Sequence, residues 1–436
     1  MNNLMVISIL IITIILVLAM VSILMTDAFA ADNNRSNNTN CTITSSKSVS
    51  GQPTKDLSLT ELFNAVRGSV VDINAITPVH DNLYINGTPG TFPASSSGGG
   101  TGFIVDTAGH VITNFHVVKN NTDITVTFPD GNRYPAAIIG EDSYTDLALL
   151  QVSQAAWEQE QIKPLPLGDS SFLQIGQPVV AVGSPSGATR ESMTAGIISQ
   201  INGTSSDQLT SSYLSSNLIE HSALIWHGNS GGPLLNMKGQ VVGVNELLVL
   251  TNPVNPVESG PTGLGFSIPS NTVTKVGCQI LTYGRAMHPY LGMLVGNMDA
   301  QVAQAMGGTG YNPRGVVVDA VGKIDPAGLA GIKGILSDHV LSVILSVDGK
   351  QVGQMSDLNN YVDSKAVGDN VVLTVFVKGG NPSVQNINVK LGERPAPFIS
   401  YSSQAGAVNT LGGSATRTCE GGGHSVLGGA VNGSRC

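Results

Sequence analysis

Between Gly102 and Pro269 the chain repeats one pattern: a short apolar run, then a turn. Phe103-Ile104-Val105, Val111-Ile112-Thr113, Ile124-Thr125-Val126-Thr127-Phe128 and Val179-Val180-Ala181-Val182 are such runs, and Asp130-Gly131-Asn132 is a turn signal following one of them. Runs this short, rich in Val, Ile and Thr and bounded by turn residues, predict strands rather than helices. Many short strands with glycine-rich turns close into barrels or sandwiches. The centre of the chain is therefore predicted to be mainly β, with Asn271 to Leu281 as a closing helix.

The flanks read differently. Leu57 to Val66 predicts a short helix with Thr54 or Ser58 as its cap, and Val70 to Ile76 a strand. Residues 77–100 are rich in Pro, Gly and Ser and read as a loop ending in Ser95-Ser96-Ser97-Gly98-Gly99-Gly100. After a linker from Tyr283 to Pro289, a second unit runs to about Arg394. It has expected strands at Gly315–Val318, Val340–Val347 and Val371–Val377 and expected helices at Pro326–Ala330 and Ser356–Val362. A chain of 436 residues is too long for one ordinary core, which agrees with this division.

Leu4 to Met25 is an uncharged apolar run, long enough for a bilayer core. Ala28-Phe29-Ala30-Ala31 follows, a small-residue pattern of the kind cut by signal peptidase. Residues 1–31 are thus read as a membrane anchor or a cleaved signal, and both place the remainder outside the membrane. Residues 32–55 form a polar stalk, and 395–436 a Gly/Ser-rich tail too poor in apolar residues to fold alone. Charged residues are only 12% of the chain and its net charge is −9, which excludes a basic nucleic-acid footprint. Sequons at Asn34, Asn37, Asn40, Asn86, Asn120, Asn202 and Asn432 fit export. The four cysteines lack metal-site spacing; Cys419 with Cys436, and then Cys41 with Cys278, are the expected pairs.

The chemistry concentrates in Gly228-Asn229-Ser230-Gly231-Gly232-Pro233-Leu234-Leu235. A serine hydroxyl needs a base to take its proton and backbone N–H groups to hold the developing oxyanion. Glycines beside Ser230 let the chain turn so that the N–H groups of Gly228 and Ser230, on either side of Asn229, converge. The base is expected upstream, and Val111-Ile112-Thr113-Asn114-Phe115-His116-Val117-Val118 supplies His116. Asp146 opens the apolar run Leu147-Ala148-Leu149-Leu150, where an unpaired carboxylate would be costly, so it is the expected partner of His116. Asp142 competes, in more polar, loop-like surroundings.

The order His116, Asp146, Ser230 is that of the chymotrypsin barrels. With Gly99–Phe103, Gly183-Ser184-Pro185-Ser186-Gly187, Thr194–Ser199 and Gly265–Asn271, the region 56–285 resembles the HtrA/Deg family of trypsin-like serine proteases. The resemblance implies a chymotrypsin-like double β-barrel. It departs from the family at Ser222-Ala223-Leu224-Ile225 and at His227, so His221 and His227 lie near the nucleophile without a family role and read as loop surface. The base of the specificity pocket falls by resemblance on Leu224 and its wall on Gly263, Leu264 and Gly265. None is a carboxylate, so cleavage after small aliphatic residues is expected.

In residues 286–394, Tyr290-Leu291-Gly292-Met293 resembles the carboxylate-binding loop of PDZ domains, with Met293, Leu358 and Val362 as the apolar lining. Asp325–Gly331 and Val347–Lys350 also match, whereas Gly334–Val340 lacks the usual turn and is expected to be altered. The implied protein is mainly β, a double-barrel protease domain plus a smaller α+β PDZ domain. It would be an ATP-independent, extracytoplasmic endopeptidase for misfolded proteins, with no cofactor, no metal and no nucleic acid. Expected partners are unfolded polypeptides, peptide C-termini and, by resemblance, further copies of the chain in a trimer. A holdase-like binding protein and a site-specific regulatory protease are the alternatives.

Overall fold

The computed structural model describes residues 41, 43, 55–85, 88–121, 123–153, 156, 163–184, 192–204, 216–226, 228–246, 264–305, 314–378 and 382–395. The run Leu4–Met25, most of the 32–55 stalk, Gly263, His227 and the tail with Cys419 and Cys436 lie outside the described residues. Among the described residues no helix is long and apolar enough to cross a membrane.

Helix α1 (Leu59–Val66) begins at a reciprocal cap. Ser58 Oγ accepts the Glu61 N–H at 3.3 Å and the Glu61 carboxylate accepts the Ser58 N–H at 2.8 Å, which satisfies two otherwise orphaned donors. Strands β1 (Val70–Ile85) and β2 (Thr88–Ile104) then pair antiparallel along their whole length, from Val70 with Phe103 to Ile85 with Thr88. The expected loop over 77–100 is thus replaced by the two arms of a long hairpin. Its Pro and Gly content signals poor strand propensity, but a two-stranded ribbon has two open edges, where a missing N–H at Pro78, Pro89 or Pro93 is tolerated.

The chain continues through β3 (His110–Asn114), α2 (Phe115–Val118), β4 (Asp123–Thr127), β5 (Arg133–Asp142) and β6 (Leu147–Val152), closing a barrel in the order β1-β2-β3-β6-β5-β4. A second barrel closes from β7 (Pro178–Gly183), β8 (Ser192–Thr204), β9 (Ser216–His221), β10 (Pro233–Asn236), β11 (Val241–Glu246) and β12 (Gly265–Pro269), in the order β10-β11-β12-β9-β8-β7. Helix α3 (Ser270–Tyr283) follows.

Ile104, Val111 and Leu150 fill the first barrel, and Val179, Ile198 and Leu234 the second. Phe103, Ile112, Leu149 and Val180, the sequence neighbours of four of these, join a third cluster with Val273, Val276 and Ile280 of α3. Successive side chains on a strand point to opposite faces, and here both faces are buried. That is why these strands read as unbroken apolar runs rather than as alternation. Burying each such Leu, Ile or Phe is favourable by about 1.5–3 kcal/mol. Cys41 is disulfide-bonded to Cys278 of α3, as expected, and Ile43 packs against Gly277 of the same helix.

The second unit comprises β13 (Pro289–Tyr290), β14 (Met293–Asn297), α4 (Ala300–Ala305), β15 (Val316–Val321), α5 (Pro326–Leu329), α6 (Ile335–Asp338), β16 (Leu341–Val347), β17 (Lys350–Gln351), α7 (Met355–Asp363), β18 (Asn370–Lys378), β19 (Ser383–Lys390) and β20 (Gly392–Glu393). Its main sheet runs β14-β15-β16-β18-β19, so β14 lies at one edge. Leu358 and Val362 of α7 pack into the core beside Val316, Ile344 and Val375. The segment read as an altered turn forms α6, ended by His339 at φ 57°.

Candidate active site

Strands β3 and β6 are paired, with Asn114 opposite Leu147. The chain leaves β3 into α2, which carries His116; on the other strand the residue before Leu147 is Asp146, at φ 54°. Left-handed backbone is costly for most side chains and best tolerated by Asn and Asp. It is held here by bonds on every side. The Asp146 carbonyl accepts the Phe115 N–H at 3.0 Å and Asn114 Nδ2 at 2.9 Å. Its carboxylate accepts the His116 N–H on Oδ1 at 2.9 Å, and Oδ2 lies 2.6 Å from His116 Nδ1. With an acceptor at Nδ1, a neutral imidazole carries its proton there and keeps the Nε2 lone pair. The His116 side chain is 34% exposed and the Asp146 side chain 9%.

Asp142, the competitor, is the last residue of β5 and buried, not loop-like. It is engaged elsewhere: His288 Nε2 lies 2.9 and 3.0 Å from its two oxygens.

Ser230 sits in the loop before β10 and is buried. Thr101 of β2 fastens that loop. Its N–H donates to the Ser230 carbonyl at 2.8 Å, its Oγ1 to the Gly228 carbonyl at 2.6 Å, and its own carbonyl accepts Thr113 Oγ1 at 2.8 Å. Gly231 has φ 85°, and a Cβ there would stand 2.2 Å from the Thr101 carbonyl oxygen, 2.3 Å from Thr113 Oγ1 and 3.0 Å from the Asn114 nitrogen. Only glycine fits, and its backbone therefore lies against the two residues that lead into α2 and His116. Gly228 holds φ 98°, and Asn229, fully buried, donates its N–H to the Trp226 carbonyl at 2.9 Å. The three catalytic candidates thus come from three segments tied to the neighbouring strands β2, β3 and β6.

Of the expected specificity-pocket residues, Leu224 and Leu264 are exposed, whereas Gly265 is buried. Gly263 and His227 fall outside the described residues. His221 corrects the sequence reading: it is not loop surface but the last residue of β9, with 0% exposure. Its imidazole is pushed down to about 4 by burial. The departure from family pattern put it in a loop; the alternation of β9 was too short to show that it points inward.

Thr101, Asn245 and the exposed Trp226 were also missed. Thr101 has a faint signal in Gly99-Gly100-Thr101-Gly102, where a single hydroxyl stands among glycines. In the second unit, Tyr290, Leu291, Gly292, Met293, Leu358 and Val362 line one cavity of about 70 Å³. The carbonyls of Leu291 and Gly292 accept the N–H groups of Ala327 and Gly322.

The trypsin-like peptidase domain family matches residues 100–244. The chain is 33% identical over 313 residues to the serine protease Do-like HtrA of Bacillus subtilis, covering 69% of this chain and 65% of that protein. It is 32% identical over 347 residues to the chloroplastic protease Do-like 1 of Arabidopsis thaliana, covering 78% of this chain and 73% of that protein. To the periplasmic serine endoprotease DegP of Salmonella typhimurium it is 33% identical over 281 residues, covering 64% and 54%. The solved structure of the HtrA-type protease AlgW with a decapeptide has a TM-score of 0.61 at 25% identity, covering 78% of this chain and 100% of that one. The chain therefore spans roughly half to three quarters of the length of these curated relatives.

Proposed function

The chain belongs to the HtrA/Do-like family of trypsin-like serine proteases, and from that premise we propose that it is a serine endopeptidase that degrades misfolded exported proteins. The observation that carries this reading is the His116–Asp146 pair, bonded through Nδ1, beside a serine loop fastened to the same strands. His116 Nε2 takes the Ser230 Oγ proton as Oγ attacks the substrate carbonyl. The N–H groups of Gly228 and Ser230, flanking Asn229, hold the oxyanion. His116 then gives the proton to the leaving amine, and water, deprotonated by the same Nε2, releases the acyl group. Asp146 keeps the ring in its Nδ1–H tautomer throughout.

Leu224, Leu264 and Gly265, with Gly263, form the specificity pocket. Because no carboxylate stands at these positions, small aliphatic side chains are favoured, in a graded way of about 1 kcal/mol for each methylene that fits. In the second unit, a PDZ domain by family pattern, the N–H groups of Leu291, Gly292 and Met293 beside Tyr290 receive a peptide carboxylate while the peptide adds to the edge strand β14. The relatives named as periplasmic support an extracytoplasmic location. Assembly through copies of the chain, with the trimer as its unit, belongs to the same reading.

The test is digestion of a reduced, unfolded protein by wild type and Ser230→Ala, with the released peptides sequenced. Wild type should cut mostly after Val, Ala, Ile or Leu and Ser230→Ala should release nothing. Cleavage by Ser230→Ala would overturn the mechanism, and a majority of cuts after Lys, Arg or large aromatics would overturn the pocket.

A further inference from the structure

We propose that His221 is a positioning residue for the nucleophile loop, acting through Ser267 and Asn245; the inference rests on Ser230 being the nucleophile. Strands β9, β12 and β11 lie side by side, with His221 opposite Gly265 and Ser267 opposite Asn245. His221 Nε2 lies 3.0 Å from Ser267 Oγ, which donates to Asn245 Oδ1 at 3.2 Å. All three residues have 0% exposure. The chain of bonds ends on the loop itself. The Asn245 carbonyl accepts the Gly231 N–H at 2.9 Å, its N–H donates to the Gly232 carbonyl at 2.8 Å, and its Nδ2 donates to the Pro233 carbonyl at 3.1 Å.

The direction of each proton follows from donor supply. Asn245 Nδ2 is occupied by the Pro233 carbonyl, so the amide is oriented with Oδ1 toward Ser267 and needs a donor. The single Ser267 hydroxyl proton meets that need. Ser267 Oγ is then an acceptor for its other neighbour, and His221 must donate from Nε2. Burial keeps the ring neutral, so a neutral Nε2–H imidazole is the form that completes the chain.

The other edge of the ring supports the specificity pocket. A Cβ at Gly265 would stand 2.3 Å from His221 Cε1, 2.8 Å from Nδ1 and 2.6 Å from the Ala223 carbonyl oxygen. The imidazole therefore lies directly beneath the backbone of Gly265 and beside the residue that precedes Leu224. One buried ring contacts the pocket wall and, through two polar side chains, the residues that follow Ser230. It touches no substrate; its effect is on where Ser230 stands.

The experiment uses the full chain and a fluorophosphonate probe that labels an activated serine. The labelling rate, the kcat and KM of a peptide substrate, and the melting temperature are compared for wild type, His221→Phe, His221→Gln and Ser267→Ala. His221→Phe keeps the ring's bulk and removes its donor. It should label about tenfold more slowly, the penalty of one buried group left unpaired, with the loss in kcat rather than KM. Ser267→Ala should lose a similar factor, and His221→Gln, which can still donate, should recover part of the rate. Normal labelling of His221→Phe, or a loss that follows the folded fraction alone, overturns the inference. If His221→Phe does not fold, Ser267→Ala decides, and its normal labelling overturns the inference equally. A wild type unlabelled at Ser230 overturns the underlying reading and this one with it.

Discussion

The candidate active site and the junction between the barrels and the second unit each hold an aspartate–histidine pair, and the two aspartates sit at the ends of one turn. At the candidate active site, Asp146 takes both the Nδ1 of His116, at 2.6 Å, and that residue's own backbone N–H, at 2.9 Å. The ring is thereby fixed to its backbone with Nε2 left over. At the junction, His288 uses Nε2 instead, shared between the two oxygens of Asp142 at 2.9 and 3.0 Å, while its ring packs against Tyr144 at 4.9 Å. Asp142 also accepts the Tyr144 N–H and the Thr145 hydroxyl. The first pair leaves Nε2 outside the contact, on a side chain that is 34% exposed; the second uses Nε2 itself, on a side chain that is 15% exposed. A short carboxylate–imidazole contact is thus no sign of catalysis. Which nitrogen remains, and what faces it, decides.

The largest expected effect tests that distinction directly. Asp146→Asn should lower kcat/KM by about 10⁴-fold, because an amide in that place can donate to Nδ1 and favours the wrong tautomer. Asp142→Asn should change kcat/KM by less than about tenfold, since one amide oxygen can still accept from the turn and the altered bond lies at the junction. Equal losses in the two variants would mean that the junction pair takes part in the chemistry and that the contrast is false.

The mainly β character was legible because the strands are short, apolar and separated by clear turns, whereas the double barrel followed only from the resemblance of the motifs to a family. Ser230 was singled out by its flanking glycines, Asp146 by the apolar run it opens and His116 by the order of the three segments; the structure brings the side chains of His116 and Asp146 together. What escaped notice depended on distances across the sheet. The burial of His221 comes from its place opposite Gly265, a pairing between strands far apart in sequence. The fastening of the Ser230 loop by Thr101 spans more than a hundred residues. The 77–100 hairpin was hidden by its proline and glycine content, which reports intrinsic preference and not the pairing that overrides it. Asp142 read as loop because its sequence neighbours are polar, and its bonds to Tyr144, Thr145 and the distant His288 explain how it is buried.

A smaller effect sharpens the difference between fastening and chemistry. The Cys41–Cys278 bond closes a loop with a sequence separation of 237 and ties the segment holding Ile43 to α3. Its reduction should cost about 2–5 kcal/mol of stability, read as a lower melting temperature. At temperatures where the reduced protein remains folded, kcat/KM should be unchanged, because α3 supplies none of the reacting groups. A fall in kcat/KM without a fall in melting temperature would make α3 part of the catalytic machinery.

The smallest expected effect comes from a further aspartate–histidine pair, in the hairpin that leads into β3. Asp106 Oδ2 lies 2.6 Å from His110 Nδ1, the same atom and the same distance as at the candidate active site. Asp106 Oδ1 accepts the N–H groups of Ala108 at 2.9 Å and His110 at 3.2 Å, so this carboxylate closes a turn. The geometry alone would make it as good a catalytic pair as His116–Asp146. Among the described residues no serine loop is fastened beside it, and the His110 side chain is 12% exposed where that of His116 is 34%. Asp106→Asn keeps an oxygen for the two backbone donors and weakens the bond to the ring. It should therefore lower stability by about 1 kcal/mol, the ordinary worth of one hydrogen bond, and leave kcat/KM within about twofold of wild type. Thermal melts and peptide kinetics on the same samples read both quantities. A loss of activity near that of Asp146→Asn would show that the active site has been assigned to the wrong histidine.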